Sequence, residues 1–237
     1  MDKILIIIPT YNEKNNIENI INKIISIDSN YHILVIDDNS PDGTYVAVRD
    51  FSKINHNVKL LLRLNRGGIG TAYCEGFDYA IKNEYSKIIQ IDADMSHDPM
   101  DIPKLIKLSE NYDLVIGSRY INGISIINWP LSRLILSYCA NIYAKLLTGM
   151  KIMDCTGGFK CFNAKVLKSI DFKTIKSQGY SFQIEMNYLT HLKKFTIHET
   201  PIVFKDRTIG KSKMSKRVIF EAIYLVPMLR IKSFFCR

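Results

Sequence analysis

An alternation of short apolar segments with amphipathic segments over residues 4–117 constrains the fold of this chain more than any other feature. The first apolar segment, residues 4–9, carries no polar alternation, which is typical of a parallel strand buried on both faces. Isoleucines from Ile17 to Ile25 then recur at helical spacing. Because this unit of strand and helix repeats, we expect an α/β fold with a mostly parallel, Rossmann-like central sheet flanked by helices.

The same patterns place the remaining elements. Strands are predicted over residues 33–36, 58–62, 88–91 and 114–117, and helices over residues 44–52, 71–82 and 103–111. Beyond residue 122 the predicted elements are a helical stretch at 122–147, a strand-like piece at Gly157 and Gly158, a helix at 180–189, a strand at 196–204 and a helix at 218–235. We expect one main domain, residues 1–210, followed by a basic loop and an amphipathic helix, residues 211–237.

The composition is that of an ordinary globular protein. With 237 residues, 47% hydrophobic and 23% charged, the chain is unlike disordered, collagenous or disulfide-stabilised classes. No apolar run reaches the roughly 18 residues that a membrane span needs. No cleavage site follows the first three residues, so we also expect no secretory signal. Five cysteines without a CxxC pair favour reduced thiols and hence a cytoplasmic location.

The positive charge is concentrated near the C-terminus. The formal net charge is +9, and residues 205–237 hold nine lysines and arginines against two acidic residues. Such a patch suits nucleic acid, an anionic membrane surface or a phosphate-bearing substrate, and it also suits a solvated helix face. Nucleic acid is the least favoured partner, because the segment lacks an interleaved aromatic platform for base stacking.

Two aspartates follow the predicted strand at 88–91. Because side chains alternate along an extended backbone, Asp92 and Asp94 point to one side. Paired carboxylates suit Mg²⁺ or Mn²⁺ held together with substrate phosphates, although an aspartate pair at a strand end can also cap a helix or build a turn. Ligands of parallel sheets bind where the strands end, and Tyr11, Asp38 and Arg119 are predicted at this same edge.

Two further turns adjoin this edge. Residues 37–44 combine turn residues with Asp38, which is placed to bind a ribose or a base. In the same segment Asp42 or Thr44 could cap the following helix. Residues 67–70, Gly-Gly-Ile-Gly, lack the last glycine of a dinucleotide-binding loop, because Tyr73 stands there. We therefore expect only a tight turn close to phosphate.

Cations and a histidine complete the set of candidate residues. The loop that begins at Arg207 and includes Lys213 is rich in small residues, as expected of a loop that closes over a diphosphate. Arg119 and Arg133 offer guanidinium groups that match phosphate oxygens, or they form surface ion pairs. His97 shows no metal-ligand spacing and is predicted to start a helix.

Short motifs recur along nearly the whole chain. They are PTYNE at 9–13, DDNSPDGT at 37–44, GIGTAY at 68–73, DAD at 92–94, GSRY at 117–120, GYSFQIEM at 179–186, DR at 206–207 and GKSK at 210–213. In this order they resemble the dolichyl-phosphate (polyprenyl-phosphate) mannosyltransferases of glycosyltransferase family 2, which have the GT-A fold. Several motifs in register are far more specific than any one of them.

The resemblance implies roles for individual residues. Those that it places around GDP-mannose and a bound Mg²⁺ or Mn²⁺ are Pro9, Tyr11, Glu13, Ile36, Asp38, Asp92, Ala93, Asp94, Arg119, Arg207 and Lys213. The expected catalytic residues among them are Asp92, Asp94, Arg119 and Arg207. The residues implied at the acceptor phosphate are Arg119, Arg133 and Ser137. Ser96 is expected as a third metal ligand, at a position where some members have glutamine.

The resemblance also implies the reaction. Mannose passes from GDP-mannose to a polyprenyl (dolichyl) phosphate in one displacement, which inverts the anomeric carbon and needs no covalent nucleophile. We expect peripheral attachment to the cytoplasmic face of a membrane through residues 211–237, although a helix at 218–235 that packs on the core is an equal alternative. Whether a separate membrane subunit anchors the chain stays open. Two alternatives also stay open: a polyprenyl-phosphate glucosyltransferase that uses UDP-glucose, and a non-catalytic nucleotide-binding subunit that recruits a partner to membranes.

Overall fold

The computed structural model of the protein describes residues 2–207 and the helical residues 216–235. The strands are β1 (Ile4–Thr10), β2 (His32–Asp37), β3 (Val58–Leu62), β4 (Lys87–Gln90), β5 (Leu114–Ser118), β6 (Ile126–Ile127), β7 (Lys160–Asn163), β8 (Ile197–Pro201) and β9 (Phe204–Lys205). The helices are α1 (Lys14–Ile27), α2 (Thr44–Ile54), α3 (Ile69–Lys82), α4 (Ile102–Leu108), α5 (Leu131–Thr148), α6 (Ala164–Lys168), α7 (Gly179–Leu192) and α8 (Lys216–Phe235). Short 3₁₀ helices span Pro99–Asp101 and Phe172–Thr174.

Within the described residues, seven strands form the main sheet in the order β3-β2-β1-β4-β7-β5-β8. The strands β1 to β4 run parallel to one another, and β8 runs parallel to β5. Only β7, inserted between β4 and β5, runs antiparallel to its neighbours in this sheet. The prediction of an α/β fold with a mostly parallel sheet flanked by helices is confirmed.

The unbroken apolar run of β1 is explained by its central place in the sheet. Successive side chains leave a strand on opposite faces, and Ile7 packs in one hydrophobic cluster while Ile6 and Ile8 pack in another. All three side chains are completely buried. Helix α1 covers one face through residues such as Ile17, and α3 covers the other through residues such as Phe77. A strand with helices on both sides needs apolar residues at every position.

Three predicted elements of the second half are wrong in extent, whereas the helices predicted at 180–189 and 218–235 agree with α7 and α8 to within three residues. The helix predicted at 122–147 begins only after Pro130, because a proline suits the start of a helix and restricts the residue before it. Ile126 and Ile127 instead form β6, which pairs with β9. The strand predicted at 196–204 is divided, because the chain leaves β5 after β8 and pairs with β6 as β9. The strand-like piece predicted at Gly157 and Gly158 begins later, at β7.

Helix α8 packs on the main domain. Its side chains Val226 and Leu229 are buried in the same cluster as Ile7. Its Glu221 accepts a hydrogen bond from the Gln178 N–H group at 2.7 Å. None of the helices in the described ranges combines the length and the apolar character that crossing a bilayer requires.

Candidate active site

Loops that follow the strands β1, β2, β4 and β5 border a cavity of about 350 Å³. The carboxyl ends of parallel strands share one edge of the sheet, so these loops meet there. The candidate residues from the sequence that line the cavity are Pro9, Tyr11, Glu13, Asp38, Asp92, Ala93, Asp94, Ser96, His97, Arg119, Arg133 and Arg207. The structure thus brings together residues that are up to about two hundred positions apart in the chain.

Two of the residues singled out do not line this cavity, and a third cannot be compared with it. The Ile36 side chain is completely buried in the hydrophobic core, because the alternation along β2 points it into the same cluster as Leu34. Ser137 lies on α5, where it accepts a hydrogen bond from the Tyr120 hydroxyl at 2.8 Å. Lys213 lies outside the described residues, as does the rest of the predicted closing loop at 208–215.

A turn directly after β4 carries the acidic pair. The Ser96 N–H group donates to Asp94 Oδ1 at 3.1 Å and closes the turn. Asp94 Oδ2 forms an ion pair with Arg207 Nη2 at 2.9 Å. The Tyr73 hydroxyl donates to Asp92 Oδ1 at 3.3 Å. Both carboxylates therefore face the cavity from one short loop.

The two carboxylates of the pair titrate differently. Burial, and then the charge of Asp94, raises the pKa of Asp92 to about 7. Burial also opposes ionisation of Asp94, but hydrogen bonding from Ser96 and the charge of Arg207 hold its pKa below the ordinary value. Two carboxylates that repel each other in this way are stabilised when a cation binds beside them.

This donor set fits a hard divalent cation. Mg²⁺ and similar ions take oxygen ligands, and they are commonly held by one or two carboxylates together with substrate phosphates. Asp92 and Asp94 supply the carboxylates, and the buried Ser96 lines the same cavity. In the part of the chain that the structure describes, no group of three or more His, Cys, Asp or Glu is arranged to hold a metal. The remaining ligands would therefore be substrate phosphates and water.

His97 lies close to the acidic pair but belongs to the core. Its ring centroid is 5.4 Å from that of Phe159 and 5.1 Å from that of Phe204. Burial lowers the pKa of His97 to about 4, so the ring is neutral at physiological pH. The prediction that His97 starts a helix is wrong, because Asp98 caps the 3₁₀ helix by accepting a hydrogen bond from the Met100 N–H group.

Two arginines hold the residues at the ends of β1 and β2. Arg66 lies over the Tyr11 ring, with its guanidinium carbon 4.0 Å from the ring centroid. Arg63 Nη1 pairs with Asp38 Oδ1 at 3.1 Å, and the Gly68 N–H group donates to Asp38 Oδ2 at 3.2 Å. Sequence reasoning missed Arg63, because helix α2 and strand β3 separate it from Asp38 and no local motif marks it.

The predicted tight turn at 67–70 packs against the start of α7. Gly70 has no room for a side chain, because a Cβ atom there would lie 2.2 Å from the Ser177 carbonyl oxygen. Its N–H group donates to Gln178 Oε1 at 2.8 Å, so this donor is used inside the protein. Gln178 also lines the cavity, and no motif in the sequence marks it. Helix α3 begins at Ile69, earlier than predicted.

Arg119 and Arg133 both form ion pairs and line the cavity. Arg119 donates to the Asp154 carboxylate from Nε at 2.7 Å and from Nη2 at 2.6 Å, and Nη2 also reaches Thr156 at 2.7 Å. Arg133 pairs with Asp206 at 2.8 Å and lies over the Trp129 ring, 4.1 Å from its centroid. These contacts hold two guanidinium groups in place beside the cavity.

The sequence profile described as Glycosyl transferase family 2 matches residues 5–171, which is most of the chain. The chain belongs to glycosyltransferase family 2. It is 39% identical over 231 residues to the polyprenol monophosphomannose synthase of Mycolicibacterium smegmatis, covering 97% of this chain and 87% of that protein. It is 36% identical over 221 residues to the undecaprenyl-phosphate mannosyltransferase of Micrococcus luteus, covering 93% and 91% of the two chains. The family resemblance found in the sequence is confirmed.

Solved structures of glucosyl-3-phosphoglycerate synthase from Mycobacterium tuberculosis share the fold of this family 2 protein. The complex with phosphoglyceric acid has a TM-score of 0.69 at 15% identity and covers 98% of this chain and 80% of that one. The complex with Mn²⁺, UDP-glucose and phosphoglyceric acid has a TM-score of 0.67 at 18% identity and covers 95% of this chain and 80% of that one. At these identities the likeness establishes the fold alone. The predicted GT-A fold is confirmed, and the protein is a glycosyltransferase.

Proposed function

We propose that this family 2 glycosyltransferase transfers mannose from GDP-mannose to a polyprenyl (dolichyl) phosphate. The observation that carries the proposal is a single cavity lined by an acidic pair, Asp92 and Asp94, and by four arginines, among them Arg119, Arg133 and Arg207. Such a cavity suits a reaction between two phosphate-bearing substrates. The names of the two relatives described above support mannose as the sugar and a polyprenyl phosphate as the acceptor.

The donor is held at the ends of β1, β2 and β4 in this proposal. Tyr11 and Asp38 contact the guanosine, with Pro9, Glu13 and the backbone at Ile36 nearby, and Asp92 to Asp94 hold the diphosphate. Asp92 and Asp94 would hold a Mg²⁺ or Mn²⁺ ion, which would supply positive charge to the departing diphosphate. Arg207, 2.9 Å from Asp94, brings a further positive charge to the same place.

The acceptor needs orientation more than activation. A phosphate monoester is anionic near neutral pH, so one of its oxygens attacks the anomeric carbon without a strong general base. The bond from that carbon to the diphosphate breaks, and the nucleoside diphosphate leaves with the electron pair. Arg119 and Arg133 orient the phosphate, and Ser137 lies one helical turn after Arg133 on α5. A single displacement inverts the centre, so an α-linked donor gives a β-mannosyl phosphate.

A panel of donors tests the proposed function. Purified protein is incubated with a short-chain polyprenyl phosphate, Mg²⁺ or Mn²⁺, and labelled GDP-mannose or UDP-glucose. We expect transfer from GDP-mannose only, complete loss of transfer with a chelator, and a β-linked product by NMR. Transfer from UDP-glucose would support a polyprenyl-phosphate glucosyltransferase instead. Donor binding without transfer would support a non-catalytic subunit.

Peripheral membrane attachment is a second part of the proposal. The exposed apolar side chains that recur at helical spacing on α5 are Leu131, Ile135, Tyr138, Ile142 and Leu146. Those exposed on α8, in the C-terminal segment 211–237, are Ile223, Tyr224, Met228 and Ile231. The Tyr143 hydroxyl joins the two helices by donating to the Ile223 carbonyl at 2.7 Å. We call these nine side chains the apolar face.

The apolar face begins beside the cavity. Trp129 and Arg133 line the cavity, and Leu131, between them, is 70% exposed. The lipid chain of an acceptor whose phosphate is held at Arg133 would therefore run along α5. The basic residues of the segment 205–237 suit the anionic headgroups around such a lipid. The cytoplasmic leaflet, which is rich in anionic lipid, is the expected location.

Replacing both Leu131 and Ile135 with serine is expected to weaken binding to anionic phospholipid vesicles by on the order of tenfold, because two exposed apolar side chains no longer enter the bilayer surface. Flotation with vesicles measures the effect. Ile54→Ser is the matched control, because Ile54 is 87% exposed but lies at the end of α2, outside the apolar face. Undiminished flotation of a folded double variant would remove this part of the proposal.

A further inference from the structure

A lysine, Lys160, is completely buried in the middle of the main sheet. It lies on β7, level with Gln90 of β4 and Ile116 of β5. Its ammonium group donates to two oxygens of one residue: Gln183 Oε1 at 2.7 Å and the Gln183 carbonyl at 3.2 Å. Gln183, on α7, is itself buried and lines the cavity of the candidate active site.

The burial of this ammonium group costs free energy. Removal from water lowers the pKa of Lys160 to about 7, although the charge of Asp154 acts in the opposite direction. An apolar side chain of similar size would occupy the same place without that cost. A buried charged residue directly behind an active-site cavity is a candidate for a role in that cavity.

The contact with Lys160 determines how the Gln183 amide is oriented. An ammonium group can only donate, so the amide oxygen must face Lys160 and the Nε2 group must face away from it. Nε2 then borders the space above Gly158. The point where a Cβ atom on residue 158 would stand lies 3.8 Å from Gln183 Nε2 and 3.4 Å from Asp92 Oδ2. The absence of a side chain on Gly158 leaves this space open to a ligand.

We propose that Lys160 is a positioning residue that presents the Nε2–H group of Gln183 to an oxygen of the donor's sugar diphosphate. The inference rests on the proposed function, since a donor diphosphate held at Asp92 would lie beside this group. A fixed amide donor stabilises an oxygen there without reorganising during the reaction. A glutamine that is free to rotate would present its oxygen to the anionic donor for part of the time, which weakens binding.

Lys160→Met tests the role of the ammonium group. We expect the variant to raise the KM for GDP-mannose roughly tenfold, the effect of one hydrogen bond to a charged group, with a smaller change in kcat. Lys87→Met is the matched control. Lys87 is also a buried lysine on the same pair of strands, but it donates to the Ser109 carbonyl and Asn163 Oδ1, away from the cavity. Its replacement is expected to leave the donor KM unchanged.

Two variants of Gln183 separate positioning from a purely structural effect. Gln183→Glu keeps an acceptor for Lys160 but has no N–H group, so its donor KM rises at least as much as that of Lys160→Met. The donor KM of the double variant Lys160→Met, Gln183→Leu is expected to be no higher than that of Gln183→Leu alone, because Lys160 then has no amide to orient. Unfolding in urea checks that each variant is folded.

The outcomes are distinguishable. A wild-type donor KM in folded Lys160→Met, or full additivity with Gln183→Leu, would overturn the inference. If Lys160→Met does not fold, a wild-type donor KM in Gln183→Glu overturns it by itself. Absence of transfer by the wild-type protein from GDP-mannose would instead overturn the proposed function, before any variant is compared.

Discussion

Replacement of Asp94 by asparagine is expected to reduce mannose transfer by at least about 100-fold while the protein stays folded. The change removes one negative charge from the pair that is proposed to bind the metal, and it removes the partner of Arg207 at 2.9 Å. Asparagine has nearly the same shape as aspartate. Its oxygen can still accept the hydrogen bond from the Ser96 N–H group. The variant is therefore expected to lose transfer activity while the turn after β4 stays intact.

Asp113→Asn provides the matched control for Asp94→Asn. The two aspartates are 8% and 7% exposed, and Asp113 also has a cationic partner, Lys165. Asp113 precedes β5 and hence lies at the opposite end of that strand from the cavity. Initial rates at saturating acceptor over a range of Mn²⁺ concentrations measure both variants. A transfer rate for Asp94→Asn equal to that of Asp113→Asn would contradict the proposed role of the acidic pair.

Local sequence patterns were sufficient to predict the first half of the fold. The apolar run at 4–9 indicates a strand covered on both faces, and the isoleucines of α1 indicate the helix that covers one of them. Once the strands are placed, the loops that follow them must meet at one edge. The common location of Tyr11, Asp38 and Asp94 at the cavity therefore follows from topology, without knowledge of any contact.

Contacts between distant segments could not be predicted in this way. Strand β7 has only four residues, and nothing in its sequence specifies that it enters between β4 and β5 in the antiparallel direction. Asp154, the partner of Arg119, is 35 positions away from it and belongs to no recognisable motif. His97 was misassigned for the same reason, because the rings of Phe159 and Phe204 surround it only in the assembled fold.

The second large effect is expected when the buried ion pair between Arg119 and Asp154 is broken. Arg119→Met is expected to lower the free energy of unfolding by about 3–5 kcal/mol and to abolish transfer. Asp154 is completely buried, and its carboxylate accepts three hydrogen bonds from Arg119, one of them from the backbone N–H group at 2.9 Å. Without the guanidinium group the buried carboxylate loses its ion-pair partner, and the charge of Lys160 remains as a weaker stabilising influence.

The contribution of Asp154 to the pH dependence of stability should also change sign in Arg119→Met. In the wild-type protein Asp154 is buried, but Arg119 holds its pKa below the ordinary value. The contribution of the pair is therefore present at neutral pH and is lost only as the pH falls through that low pKa. In the variant, burial raises the pKa of Asp154, so protonation favours the folded state. The stability of the variant relative to that of the wild-type protein should therefore rise from about pH 7 to about pH 5, and urea unfolding of both proteins at both values measures it.

Arg119→Met combined with Asp154→Asn separates folding from chemistry. In the double variant residue 154 is neutral, so no buried negative charge remains. The asparagine oxygen can still accept a hydrogen bond from the backbone N–H group of residue 119. Its free energy of unfolding is expected to return to about the wild-type value. Transfer should stay lost, because one of the two guanidinium groups proposed to orient the acceptor phosphate is still missing. If a stable double variant regains the wild-type transfer rate, Arg119 serves the fold alone and the acceptor phosphate depends on Arg133.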